Sequence, residues 1–374
     1  MILIVLFIVA CFLAYSNGAN DNFKGVATLF GTGTTNYKRA IAWATITTFL
    51  GSVTALFLAD ALVQNFSGKG LVPDEWIQAP SFAISIALGA GMTVFLATRI
   101  GMPISTTHSL VGALFGSGFV AVGTAFNFAK LGSTFLVPLI VSPLMAAVIS
   151  LVAYLLLKKL RTASGITKET RIGVRDEFKL IPQMSNVEHS VAMEAVTQKT
   201  INAAHEEVYG EVYQGRFMGV NAQKLLDFAH YASAGVVSFA RGLNDTPKIA
   251  GLLIVINALD IKWGMVAVAV AMALGGILNA RKVGETVSNK ITAMNDGQGF
   301  TANLITGLLV TTASVHGMPV STTHVSVGAI FGIGTANKKA NVKVVRNILM
   351  SWLLTLPVAA ICSAAVYWVL LQLT

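Results

Sequence analysis

The chain has 374 residues, 54% of them hydrophobic and only 11% charged, with a formal net charge of +9. A soluble domain carries about a quarter charged residues, so the composition argues against a water-soluble enzyme or binding module. The positive charge lies in the connections between apolar blocks, the pattern of loops held in the cytoplasm, and no nucleic-acid partner is expected.

In chain order, residues 1–31 form a first span. The start lacks the basic region and cleavage site of a signal peptide, and it runs into the polar segment GANDNFK at 18–24. Further spans are predicted at 40–63 and 131–157, with a closely spaced pair at 83–99 and 103–121 between them. Residues 158–224 are polar and charged, and read as a cytoplasmic linker with a soluble helix at 187–209. Spans follow at 225–256, 261–280 and 347–373, with a second pair at 298–315 and 319–336. About 20 apolar residues cross a bilayer as a helix. Without the alternation of a barrel strand, the spans must be helical. Cys11 and Cys362 lie in apolar spans and read as small hydrophobes, not as a disulfide framework or metal site.

The chain is duplicated. GMPISTTHSLVGALFGSG at 101–118 returns as GMPVSTTHVSVGAIFGIG at 317–334, with thirteen of eighteen positions identical. GANDNFK at 18–24 returns as GLNDTPK at 242–248. The domains are therefore 1–157, the linker 158–224, and 225–374. Each half has three single spans and one pair, which is an odd number of crossings, so the second half must insert upside down. With both termini outside, the basic loops 32–39, 158–224, 281–297 and 337–346 all fall in the cytoplasm. The fold class is an all-α integral membrane protein of two inverted-topology repeats. Each repeat has three spans, some broken, plus a helical hairpin. Such repeats with a midplane site between them are the usual construction of secondary transporters.

In the first hairpin, Gly101 ends one helix and Pro103 suits the first turn of the next. Ser105, Thr106 and Thr107 add hydroxyls at that helix start, and Ser321, Thr322 and Thr323 repeat them. A helix beginning inside a membrane offers unpaired N–H groups and a positive dipole end, an oxyanion site. The bland alternative is that the hydroxyls only cap helices; duplication in opposed halves favours the site.

Asn20 and Asp21, and Asn244 and Asp245, sit inside long apolar stretches, with breaks expected at Gly18 and Gly242. Exposed carbonyls and side-chain oxygens there suit Na⁺ or another small cation. The alternative is that each Asp pairs with the lysine three residues on, Lys24 or Lys248. An anion beside two carboxylates needs cations, or protons on Asp21 and Asp245, before it binds, and that requirement is co-transport. His108 and His324 are candidates for orienting the hairpins or carrying a proton. Arg99 and Arg241 do not recur between the halves and are weaker candidates for pairing with an anion. Ser105 and His108 could share a helix face as in an intramembrane hydrolase, but no orienting acid is evident. A passive channel would ignore cation gradients.

The paired GAND/GLND and GMPxSTTH blocks resemble the PiT family of inorganic phosphate transporters over both halves. The resemblance implies cation-coupled phosphate import, a choice of oxyanion that spacing alone leaves open to sulfate; a neutral lining of Ser, Thr and Asn around two aspartates favours Na⁺ as the coupled ion, with H⁺ or a metal-phosphate complex as the alternative. The resemblance also implies a multi-pass protein of the plasma (inner) membrane, a homodimer, and no cofactor beyond the transported ion. It places phosphate on Ser105, Thr106, Thr107, Ser321, Thr322 and Thr323, and the cation on Asn20, Asp21, Asn244 and Asp245. Family members often carry glutamates where this chain has Thr48 and Asn303.

Overall fold

The computed structural model describes residues 1–174, 207–290, 294–338, 340 and 342–373. They form two compact units, Met1–Lys158 with Leu226–Thr374, and Lys159–Leu225.

The smaller unit holds the antiparallel strands Thr167–Val174 and Glu207–Gln214, with Thr167 opposite Gln214. Lys168 reaches Glu211 at 2.6 Å and lies over the Tyr213 ring, cross-strand contacts of the kind that hold a ribbon together. A second short hairpin pairs Arg216–Phe217 with Val220–Asn221 around Met218 and Gly219, both at positive φ, as a tight two-residue turn requires. Of the soluble helix expected at 187–209, residues 187–206 lie outside the described residues. Residues 207–209 open a strand instead, because Val208, Tyr209, Val212 and Tyr213 favour a pleated surface over a helix.

The larger unit is helical. Among its described residues, seven helical stretches are long and apolar enough to cross a membrane, among them Ile2–Gly31, Tyr37–Leu58, Phe128–Ala163, Ile261–Asn279 and Val345–Leu373. Outward-facing Ile140, Leu144 and Val148 recur every four residues and are each more than 60% exposed, an apolar stripe suited to lipid. The first hairpin is Pro80–Arg99 with Thr106–Val122, and the second is Asp296–Val315 with Thr322–Ala336. The second opens on a full capping box, Asn295 with Gln298, which satisfies two first-turn donors reciprocally.

The halves interlock. The returning helix of the first hairpin packs on the closing helix Val342–Leu373 of the second half. A Cβ at Gly112 or Gly116 would fall 2.2 or 2.1 Å from the carbonyls of Leu356 and Ala360. Gly328 and Gly332 of the second hairpin lie just as close to the carbonyls of Pro143 and Ala147 in the first half's closing helix. The hydrogen bonds correspond as well. Ser363 donates to Ala113 O at 2.9 Å, and Ser150 donates to Ala329 O at 2.8 Å.

The expected breaks at Gly18 and Gly242 are not found. Ile2–Asp21 and Ala222–Ala250 run through them as continuous α-helix. Each glycine instead admits a neighbouring backbone: a Cβ would meet Met272 O at 1.9 Å at Gly18, and Thr48 O at 2.0 Å at Gly242. The first helix changes character later, tightening to 3₁₀ over Asn22–Val26.

Candidate functional site

Both hairpin turns are built alike. Gly101 and Gly317 take φ of +74° and +69°, the left-handed conformation that glycine adopts without strain. Met102 N–H bonds back to Ala97 O, and Met318 N–H to Ala313 O, both at 2.9 Å, closing each outgoing helix with a Schellman cap. Pro103 and Pro319 are not in the first turn of the returning helices, which begin at Thr106 and Thr322. They belong to extended linkers ahead of the N-caps. Those linkers leave the carbonyls of Ile104 and Val320 unclaimed by any helix and turned toward the interior.

The two tips meet. Thr107 Oγ1 donates to Val320 O at 3.2 Å, and Thr323 Oγ1 donates to Ile104 O at 3.3 Å. All six Ser and Thr residues of the tips are buried. Their roles divide by position. Ser105 and Ser321 are N-caps, accepting from His108 N–H at 3.1 Å and His324 N–H at 3.3 Å. Thr106 donates to Asp21 Oδ2 at 3.1 Å, and Thr322 accepts from Asn244 Nδ2 at 3.4 Å. Thr107 and Thr323 face the opposite half.

The cations nearest the aspartates are lysines. Lys24 Nζ lies 2.5 Å from Asp21 Oδ1, 2.9 Å from Asn20 Oδ1, 2.7 Å from Ile104 O and 2.8 Å from Thr323 Oγ1. Lys248 Nζ lies 2.7 Å from Thr107 Oγ1, 2.6 Å from Val320 O and 3.5 Å from Asp245 Oδ1. The sets correspond: each ammonium takes a carbonyl from its own hairpin tip and a hydroxyl from the other. The pairing of Asp with Lys, the alternative read from the sequence, is realised at both positions. Asn20 also fixes the first tip, donating to Thr98 Oγ1 at 2.9 Å and Met102 O at 3.0 Å. Asn244 does the same for the second, donating to Val320 O at 3.1 Å and accepting from Ser314 Oγ at 3.2 Å.

Between the two Asn-Asp pairs lies Arg241, with no exposed surface. It donates to Asn17 Oδ1 at 3.0 Å and Asn22 Oδ1 at 2.9 Å, and its Nε sits 3.7 Å from Asp245 Oδ2. Asn17 donates to both carboxylates, at 3.3 Å to Asp21 and 3.2 Å to Asp245. Asn17 and Arg241 stand at matching positions of the two repeats, so the asymmetric arginine contacts its own counterpart. Thr48, expected where relatives carry a glutamate, donates to Asn22 Oδ1 at 3.2 Å. Asn303 lies away from this cluster, donating to Thr28 Oγ1 at 2.8 Å.

His108 and His324 lie against one another with ring centroids 4.2 Å apart and planes tilted by 46°, and His324 stacks on Trp352 at 3.5 Å. Arg99 is exposed, over the Phe95 ring, and takes no part. The sequence motifs thus bring together every expected residue of the two Asn-Asp pairs and the two Ser-Thr-Thr groups. Lys24, Lys248, Arg241 and Asn17 join them. The lysines carried a signal, since they recur inside the doubled motif. Arg241 carried a weaker one, because its partner position holds a different residue, Asn17.

The cluster joins three cationic side chains to two carboxylates and a ring of hydroxyl and amide donors, a chemistry that fits a tetrahedral anion. Comparison with known proteins points the same way. The chain is similar to a protein described as a phosphate permease of Pyrococcus abyssi, at 27% identity over 98% of each chain. It is similar also to a low-affinity inorganic phosphate transporter of Bacillus subtilis, at 26% identity over 99% of this chain and 98% of that one. A solved structure described as the sodium-dependent phosphate transporter aligns with a TM-score of 0.78 and 27% identity, covering both chains fully. Residues 17–363 match the phosphate transporter family, to which the chain belongs.

Proposed function

We propose that this phosphate transporter, a multi-pass membrane protein and not an enzyme, binds its substrate where the two hairpin tips meet. The contact of Thr107 with Val320 and of Thr323 with Ile104 carries the reading. Two helices that start side by side cannot start on opposite faces of a hydrocarbon layer about 30 Å thick. Thr322–Ala336 has 15 residues and rises only about 22 Å, too short to cross. Both observations support hairpins that enter the bilayer and turn back at a shared depth. The matching contacts of the two halves support the inverted repeat, and the basic connections, which favour the cytoplasmic side, support termini outside and residues 158–224 in the cytoplasm.

At that depth Thr106 and Thr107, and Thr322 and Thr323, offer first-turn N–H groups without intrahelical acceptors beside their hydroxyls. A unit negative charge about 4 Å from one carboxylate is opposed by about 4 kcal/mol at an effective dielectric of 20. Lys24, Lys248 and Arg241 outnumber the carboxylates by one and reverse that sign. The rigid tips hold the anion, and the cations keep it from being expelled by Asp21 and Asp245.

Two readings of the driving ion each have support. Sodium is favoured by the name of the solved relative and by the oxygen-rich surroundings of Asn20, Asp21, Asn244 and Asp245. The proton is favoured by the lysines already lodged among those oxygens. Radiolabelled phosphate uptake into proteoliposomes, with Na⁺ and pH gradients imposed separately, tests both. Transport is expected to accumulate phosphate against its gradient under one of them. Uptake that follows voltage alone would make the protein a channel.

A further inference from the structure

We infer that Lys24 and Lys248 are tethered counter-cations, held where two mobile cations would otherwise bridge the carboxylates to the anion, so that this chain binds phosphate without sodium. The inference rests on the transport reading above and deepens it.

A mobile cation in such a site must contact a carboxylate on one side and the anion's binding group on the other. Lys24 Nζ spans those two points, from Asp21 Oδ1 at 2.5 Å to Thr323 Oγ1 at 2.8 Å on the opposing tip. Lys248 Nζ spans the mirrored points, from Asp245 Oδ1 at 3.5 Å to Thr107 Oγ1 at 2.7 Å. Backbone carbonyls complete each set, Ile104 O at 2.7 Å and Val320 O at 2.6 Å. Four oxygens surround Lys24, including Asn20 Oδ1, while an ammonium has three protons to give. Both lysines are at most 5% exposed. A sodium ion drawn to the same oxygens would stand on top of an existing positive charge, so the tethered ammonium excludes it.

The tether changes the energetics as well as the ion. A mobile cation must be captured from solution at an entropic and concentration-dependent cost, whereas a lysine three residues along the same helix is always at hand. Phosphate affinity is therefore independent of sodium concentration.

The test uses the full-length protein in proteoliposomes and in detergent, with inorganic [³²P]phosphate as the probe. Wild-type binding and uptake are expected to be unchanged when Na⁺ is replaced by choline. Removing one partner of a buried charge pair is strongly disruptive, so Lys24→Asn with Lys248→Asn should lower phosphate affinity by about a hundredfold in choline. In that variant, added Na⁺ should restore part of the loss, since the oxygens then stand open to a free ion. A wild-type protein whose phosphate binding falls tenfold or more in choline overturns the inference, whatever the variants do. If the double variant does not fold, the wild-type comparison still decides. Phosphate uptake that is present but sodium-dependent defeats only the tethered cations. No uptake under any gradient defeats the transport reading itself.

Discussion

Arg241 lies fully buried on the helix that carries Asp245, and its guanidinium holds Asn17, Asn22 and Asp245 in one network. Truncating one partner of a buried ion pair costs about 3–5 kcal/mol, because the other charge is left without compensation. Arg241→Met should therefore lower the thermal unfolding temperature of the purified protein markedly, and a variant as stable as wild type would show the pair to be dispensable. The tip hydroxyls separate by role. Ser105→Ala removes an N-cap worth about 1 kcal/mol and should leave substantial uptake. Thr107→Val takes an acceptor from Lys248 and a donor from Val320, and should cut phosphate uptake by about tenfold or more in the proteoliposome assay. The residues of both motifs were legible in the sequence because they recur. The lysines were legible only as partners for the aspartates, since nothing in the spacing tells that Lys24 also reaches Thr323, 299 residues away. Arg241 was legible only as a weak candidate, because it does not recur and its partners Asn17 and Asn22 come from the other half of the chain.

At the level of elements, the membrane-sized helices announce themselves through long apolar runs, and the hairpins through Gly-Met-Pro followed by hydroxyls. The glycines inside the helices are harder to read. Gly18 and Gly242 look like breaks in sequence, yet each is required by a carbonyl from a distant helix. The same holds for Gly116, whose Cβ would lie 2.1 Å from Ala360 O, whereas Gly132 has no atom within 4 Å of that position. Gly116→Leu must push the two helices apart, at about 1–3 kcal/mol or more for overpacking. It should reduce both folded yield and uptake, while Gly132→Ala should change neither. Equal tolerance of the two substitutions, measured by size-exclusion profile and uptake, would refute the close packing. Residues 207–209 read as the end of a helix in sequence because they close a polar stretch, whereas they open a strand whose Val-Tyr pairs continue to Gln214.

For the whole molecule, duplication is the clearest message of the sequence. What no repeat pattern shows is that the copies are interleaved. Each closing helix receives the hairpin of the other copy, and each lysine finds its hydroxyl across the boundary. Neither copy is a finished object. Made alone, residues 1–157 would present a small-residue seam with nothing to fill it, and an ammonium short of one acceptor. Made together as two separate polypeptides, 1–157 and 225–374 should find one another in the membrane and recover phosphate uptake that neither possesses singly. By the same reasoning, a half-length forerunner of this chain would have needed a second copy to fill its seam and complete its ammonium, so mutual dependence would precede the joining of the two into one polypeptide.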